Sequence, residues 1–154
     1  MSNFVEKINF ELKQRKISLQ TLSKNTKISS SQLSKYASGN YEPSLKNAII
    51  ICDYFQCSLD YLFGLDRIFN RYATFKKENS LLFNERLQEL IKLNKTNINK
   101  ISKHTYINRN CFYHWQKNML FPKVGILVKL AKELNTSIEY LVGRTDYKEC
   151  GYDF

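Results

Sequence analysis

The chain has 154 residues, enough for one ordinary domain or two small ones, and its 24 Lys and Arg against 14 Asp and Glu give a formal net charge of +10. That balance points to a polyanionic partner, nucleic acid first and an acidic membrane surface second. The first twenty residues carry acids and no signal-peptide core, and the longest aliphatic run, "AIIIC" at 48–52, is far too short to span a bilayer, so a cytoplasmic chain with no membrane segment is expected.

In chain order, the first 66 residues read as five short helices. Ser18 opens the second and Ser29 the third, where Gln32 three residues later completes a capping box. Leu45, Ala48, Ile49, Cys52 and Phe55 recur at three- and four-residue steps and stripe the fourth. Ser58 opens the fifth, and Gly64 stands where a helix stop is expected. The polar stretch 26–44, "TKISSSQLSKYASGNYEPS", is poor in apolar residues for a helical pattern, so it presents its side chains outward. In residues 67–82, Ile68, Phe69, Tyr72 and Phe75 fall on one helical face and Gly and Pro are absent, which predicts a helical linker.

The same signals then return. At an offset of 79 residues "LSKNTKI" lies on "ISKHTYI", Pro43 on Pro122 and "SLDYLFG" on "SIEYLVG", with no gap. The identical pairs are few, but apolar positions keep their character, as at Leu12/Ile91, Leu22/Ile101, Leu33/Phe112, Tyr36/Trp115 and Phe55/Leu134. Asn97, Asn108 and Ser137 stand before the second, third and fifth helices of this copy, and Gly143 after the last. With no alternating strand pattern, the chain is expected to be all-α, with two tandem five-helix domains at 1–66 and 83–146, the linker between them and a tail at 147–154. Residues 1–79 and 80–154 each hold 12 basic and 7 acidic side chains, so neither half looks like an acidic partner for the other.

The first copy, from "ISLQTLSKNTKI" to "SLDYLFG", resembles the lambda-repressor-like (Cro/C1, XRE-type) helix-turn-helix family over nearly its whole length. The second keeps Thr105, Ile107, Trp115, Pro122 and "SIEYLVGRTD". The resemblance implies that the third helix of each copy enters the major groove of double-stranded DNA and that the protein regulates transcription. Base-reading positions are then Ser29, Ser30, Ser31 and Lys35 in the first copy, and Asn108, Arg109, Asn110, Tyr113 and His114 in the second. Serine hydroxyls donate or accept and so discriminate weakly, whereas Arg109 suits guanine and Asn110 adenine. Phosphate contacts are expected from Asn40, Ser44 and Lys46, and from Lys117, Asn118 and Lys123. Leu19 and Ile98 stand where many members of the family carry a bracing Gln.

A 16-residue linker reaches about 24 Å as a helix or about 53 Å extended, so one chain can imitate a two-fold dimer on an asymmetric site; a homodimer is the other arrangement. The second copy's turn, "KNMLFP", replaces "SGNYEP", and Met119, Leu120 and Phe121 offer an apolar surface to a protein partner. The alternative function is therefore an interaction or oligomerisation module, antitoxin-like or scaffold. Cys111, His114 and His104 are too few for a zinc site, Cys52, Cys57, Cys111 and Cys150 form no Cys-x-x-Cys pair, and no nucleophile, base and acid share a surface. Neither a metal, another cofactor nor catalysis is expected.

Overall fold

The computed structural model describes residues 2–72 and 74–149. Its chain divides into two compact units, Met1–Arg71 and Tyr72–Phe154. Among the described residues every regular element is a helix.

The first unit holds α1 (Ser2–Arg15), α2 (Leu19–Thr26), α3 (Ser30–Ser38), α4 (Leu45–Phe55) and α5 (Leu59–Leu62). The last four start where a serine supplies an acceptor for an amide that has no partner inside the helix. The hydroxyls of Ser18, Ser29, Ser44 and Ser58 accept from the N–H three residues on, at 3.0–3.2 Å. Helices α2, α3 and α4 stop at residues in the left-handed conformation, Lys27, Gly39 and Gln56. Gly64 also has positive φ (79°), and a Cβ there would come within 2.6 Å of the Asn3 side chain, so this position needs glycine twice over. Phe4 and Ile8 of α1, Leu22 of α2, Leu33 of α3, Ile51 and Phe55 of α4 and Leu62 of α5 are wholly buried. Each contributes about 1.5–3 kcal/mol by leaving water. The contacts run α1 to α3 and α5, α2 to α3 and α4, and α4 to α5, which leaves α3 one face for the core and one for solvent.

The second unit holds α6 (Ser80–Leu93), α7 (Ile98–Thr105), α8 (Arg109–Asn118), α9 (Val124–Leu134) and α10 (Ile138–Leu141). Helices α7, α9 and α10 begin and end 79 residues after α2, α4 and α5, as the pairs Leu19/Ile98, Leu45/Val124 and Leu59/Ile138 show. Left-handed turn residues keep the same spacing: Lys16 and Lys95, Lys27 and Tyr106, Gln56 and Asn135, Gly64 and Gly143. Helix α8 runs one residue longer than α3, because Asn118 stands where Gly39 breaks the first and the left-handed stop falls on Met119. Phe83, Leu87, Ile101, Phe112, Trp115, Leu127, Leu134 and Leu141 make this unit's core.

The linker is not a helix. Between Leu62 and Ser80 no helix is present among the described residues, and α6 already starts inside the stretch expected to be linker. The backbone of this stretch bonds to side chains and to neighbouring elements and not in a helical ladder. Asp66 accepts from the Ile68 N–H at 3.0 Å and takes both arms of Arg71 at 2.7 and 3.0 Å, an arrangement that competes with helix formation. The Phe69 carbonyl accepts from the Ser58 N–H at 3.1 Å, while the Lys76 and Asn79 N–H groups donate to Arg144 and Val142 at 2.8 and 2.9 Å. Its apolar residues separate accordingly. Phe69 packs edge-on against Tyr61, Tyr72 lies beside Phe75, the Arg144 guanidinium covers Phe75 at 4.4 Å, and Ile68 is exposed.

The stretch after α10 repeats one of these contacts. The Lys148 carbonyl accepts from the Ser137 N–H at 2.8 Å, 79 residues beyond the Phe69 and Ser58 pair, so what reads as a tail begins as a strap on the domain. Residues 150–154 of that tail lie outside the described residues.

Candidate nucleic-acid interface

Each unit presents one helix behind a tight turn of the same construction. Thr26 donates its hydroxyl to the Leu22 carbonyl at 2.7 Å and accepts from the Ile28 N–H at 3.4 Å. Thr105 does the same with Ile101 and Ile107, at 2.6 and 3.3 Å. Threonine thus closes the last turn of α2 or α7 and fixes where α3 or α8 begins. Both presented helices are also held from the first helix of their unit: Asn9 donates to the Ala37 carbonyl at 2.9 Å, and Asn84 to that of Trp115 at 2.8 Å.

On α3, Leu33 and Tyr36 are buried, and the Tyr36 hydroxyl accepts from Asn47 at 2.9 Å. Ser29, Ser30, Ser31 and Lys35 are all exposed. Two of them have work of their own. Ser29 caps α3, and the Lys35 ammonium lies 4.9 Å from the centre of the Tyr41 ring, a cation–π contact that holds it beside the turn. Asn40, Ser44 and Lys46 are exposed along the entry to α4, with Ser44 serving as its cap.

On α8, Phe112 and Trp115 face the core while Arg109, Asn110, Tyr113 and His114 are exposed, as is Asn108 before them. Asn108 accepts from the Asn110 N–H at 2.8 Å, so it is a cap first. Arg109 donates through Nη1 to Asn99 Oδ1 on α7 at 3.0 Å. Lys117 and Lys123 are exposed, and Lys123 occupies the cap position of α9 without giving it a side-chain hydrogen bond, unlike Ser44 on α4. Asn118 is exposed too, but its amide is engaged by His114, with Nδ2 3.0 Å from both the imidazole Nδ1 and the backbone carbonyl.

Residues 10–62 match a protein-family model described as helix-turn-helix. This segment is a Cro/C1-type helix-turn-helix domain. Such domains are DNA-binding and of transcription-regulator type. No curated protein and no solved structure matches the chain. Among the described residues no helix is long and apolar enough to cross a membrane.

In the helix-turn-helix domain the expected base-reading residues share one exposed surface of α3 and its cap, and their counterparts share one on α8. The expected protein-binding trio is divided. Phe121 packs edge-on against Phe83 with centroids 6.2 Å apart, whereas Met119 and Leu120 remain 44% and 51% exposed. His104 pairs with Glu133 at 2.7 Å, and among the described residues no group of three or more His, Cys, Asp or Glu is placed to hold a metal. Sequence reasoning missed Asn9, Asn84 and Asn99. Their partners lie 28, 31 and 10 residues away, and nothing local marks an exposed-looking asparagine as a brace.

Proposed function

We propose that the chain is a sequence-specific double-stranded DNA-binding regulator, that the second unit is a second copy of the helix-turn-helix domain, and that α3 and α8 each read the major groove. The domains run over 1–66 and 83–146 with their straps and the intervening segment attached. The observation that carries this is the recurrence, 79 residues on, of helix bounds, left-handed turn residues and the threonine-closed turn in front of a helix with an apolar inner face and a polar outer one.

The two surfaces differ in what they can discriminate. Serines and a Lys35 held by Tyr41 suit phosphate and weak base contacts, so the first copy anchors. Arg109, Asn110 and His114 suit base edges, so the second copy supplies most of the sequence preference. Phosphates are met by Asn40, Ser44, Lys46, Lys117 and Lys123. The test is selection of sites from random duplex DNA with the intact chain near physiological salt. An asymmetric bipartite motif supports two readers in one molecule, a palindrome supports a homodimer reading with one copy per chain, and no enriched motif sinks sequence-specific binding.

A second reading, an interaction module, is favoured by the exposure of Met119 and Leu120 beside α8. Salt separates the two. DNA affinity falls steeply as salt rises because each phosphate contact releases counterions, whereas an apolar protein interface barely responds.

A further inference from the structure

Two of the side chains on α8 are each held by an asparagine, and the pattern of donors this leaves is specific. Arg109 gives one N–H to Asn99 Oδ1 at 3.0 Å, which fixes one edge of a planar group with five donors and leaves the others to an outside acceptor. His114 is fixed more fully. Asn118 Nδ2 lies 3.0 Å from the His114 carbonyl, which only accepts, so the amide must turn its NH2 and not its oxygen toward that residue. The same nitrogen lies 3.0 Å from Nδ1, so its second hydrogen falls there and Nδ1 must be the unprotonated acceptor. The ring proton then sits on Nε2, on an exposed side chain.

We infer that α8 is a preset array of hydrogen-bond donors, Arg109 and the Nε2–H of His114, and that it selects guanine at the base Arg109 meets and rejects cytosine at the base His114 meets. Guanine alone offers two acceptors, N7 and O6, to the several free donors of Arg109, whereas the single Nε2–H is met by N7 of guanine or adenine or by O4 of thymine and is opposed only by the donor of cytosine. Asn99 and Asn118 are positioning residues in this scheme. Asn118 therefore acts through His114 and not, as the sequence suggested, on a phosphate. The inference rests on the base-reading role proposed for α8.

The test is site selection from random duplexes with the full chain, as wild type and as Arg109→Ala, Asn99→Ala and Asn118→Asp. In the wild type, guanine is expected at one position of the second copy's half-site and cytosine is expected to be excluded at another. Arg109→Ala is expected to reduce preference at the first of them by about tenfold or more, and Asn99→Ala to reduce preference at that same position and no other. The carboxylate of Asn118→Asp accepts from Nδ1–H, which in the neutral ring turns Nε2 into an acceptor, so the exclusion of cytosine should be lost at the other position. Independently of any variant, the 15N shifts of His114, assigned by loss of its signals in His114→Gln, should place the proton of the neutral ring on Nε2. A proton on Nδ1, or base preferences unchanged in Asn99→Ala and Asn118→Asp while Arg109→Ala loses one, overturns the preset array and leaves base reading intact. A wild-type motif whose preferences all survive Arg109→Ala, or no motif at all, overturns the base-reading assignment and the array with it.

Discussion

Arg109 and Lys46 are both exposed cations, yet their positions predict different losses. Arg109 opens α8 and is held toward α7, whereas Lys46 lies in the first turn of α4, beside the amides that Ser44 caps. Arg109→Ala should relax base preference at one position; Lys46→Ala should weaken all sequences alike and lower the salt slope by about one. Titrations of matched and scrambled duplexes at several salt concentrations separate these, and equal loss on every sequence for both would remove the distinction. Gly64→Ala belongs to the same scale. Its positive φ and the Asn3 atoms at 2.6 Å together predict destabilisation of more than about 1 kcal/mol, read from the urea midpoint. Acid should weaken the second unit. The hydrogen bond from Lys76, then Arg86, holds the Asp146 carboxyl below its ordinary range, and Lys148 does the same for Glu89. A depressed carboxylate adds stability that is complete above the ordinary carboxylate range and is lost as pH falls through its folded-state value. Asp146→Asn should therefore flatten the acid limb of the stability curve, by a small amount because the group is exposed.

For the helices, the caps were legible and the braces were not. A serine or asparagine at the head of a helical pattern states its role locally, which is why the starts at Ser18, Ser29, Ser58, Asn97, Asn108 and Ser137 could be read directly. Ser29→Ala should cost about 1 kcal/mol and loosen the first turn of α3, visible as faster amide exchange at Gln32. The segment after α5 misled for the complementary reason. Ile68, Phe69, Tyr72 and Phe75 do have helical spacing, but periodicity is silent about which body each ring joins, and Asp66 captures the local amide before a helix can propagate. The turn after α8 carried a similar ambiguity, since "NMLFP" shows three apolar residues and only packing assigns Phe121 to the core.

At the level of the whole molecule, charge was readable early because it is a sum over the chain and survives local error. The net charge of +10 predicts that affinity for any duplex falls by orders of magnitude between low and moderately raised salt, while the preference for one sequence over another changes far less. Competition titrations across that range check it, and an affinity indifferent to salt would favour the interaction module. What the sum could not show was where one unit stops. The strap carbonyls at Phe69 and Lys148 both serve the N–H in front of a short fifth helix, at Ser58 and Ser137, and both serines are wholly buried. For anyone cutting this gene into pieces, that contact sets the scissors. A fragment ending at Asp66, where the sequence likeness fades, strips a buried amide of its acceptor at a cost of about 1–3 kcal/mol. A cut after Arg71 hands each fragment its own strap.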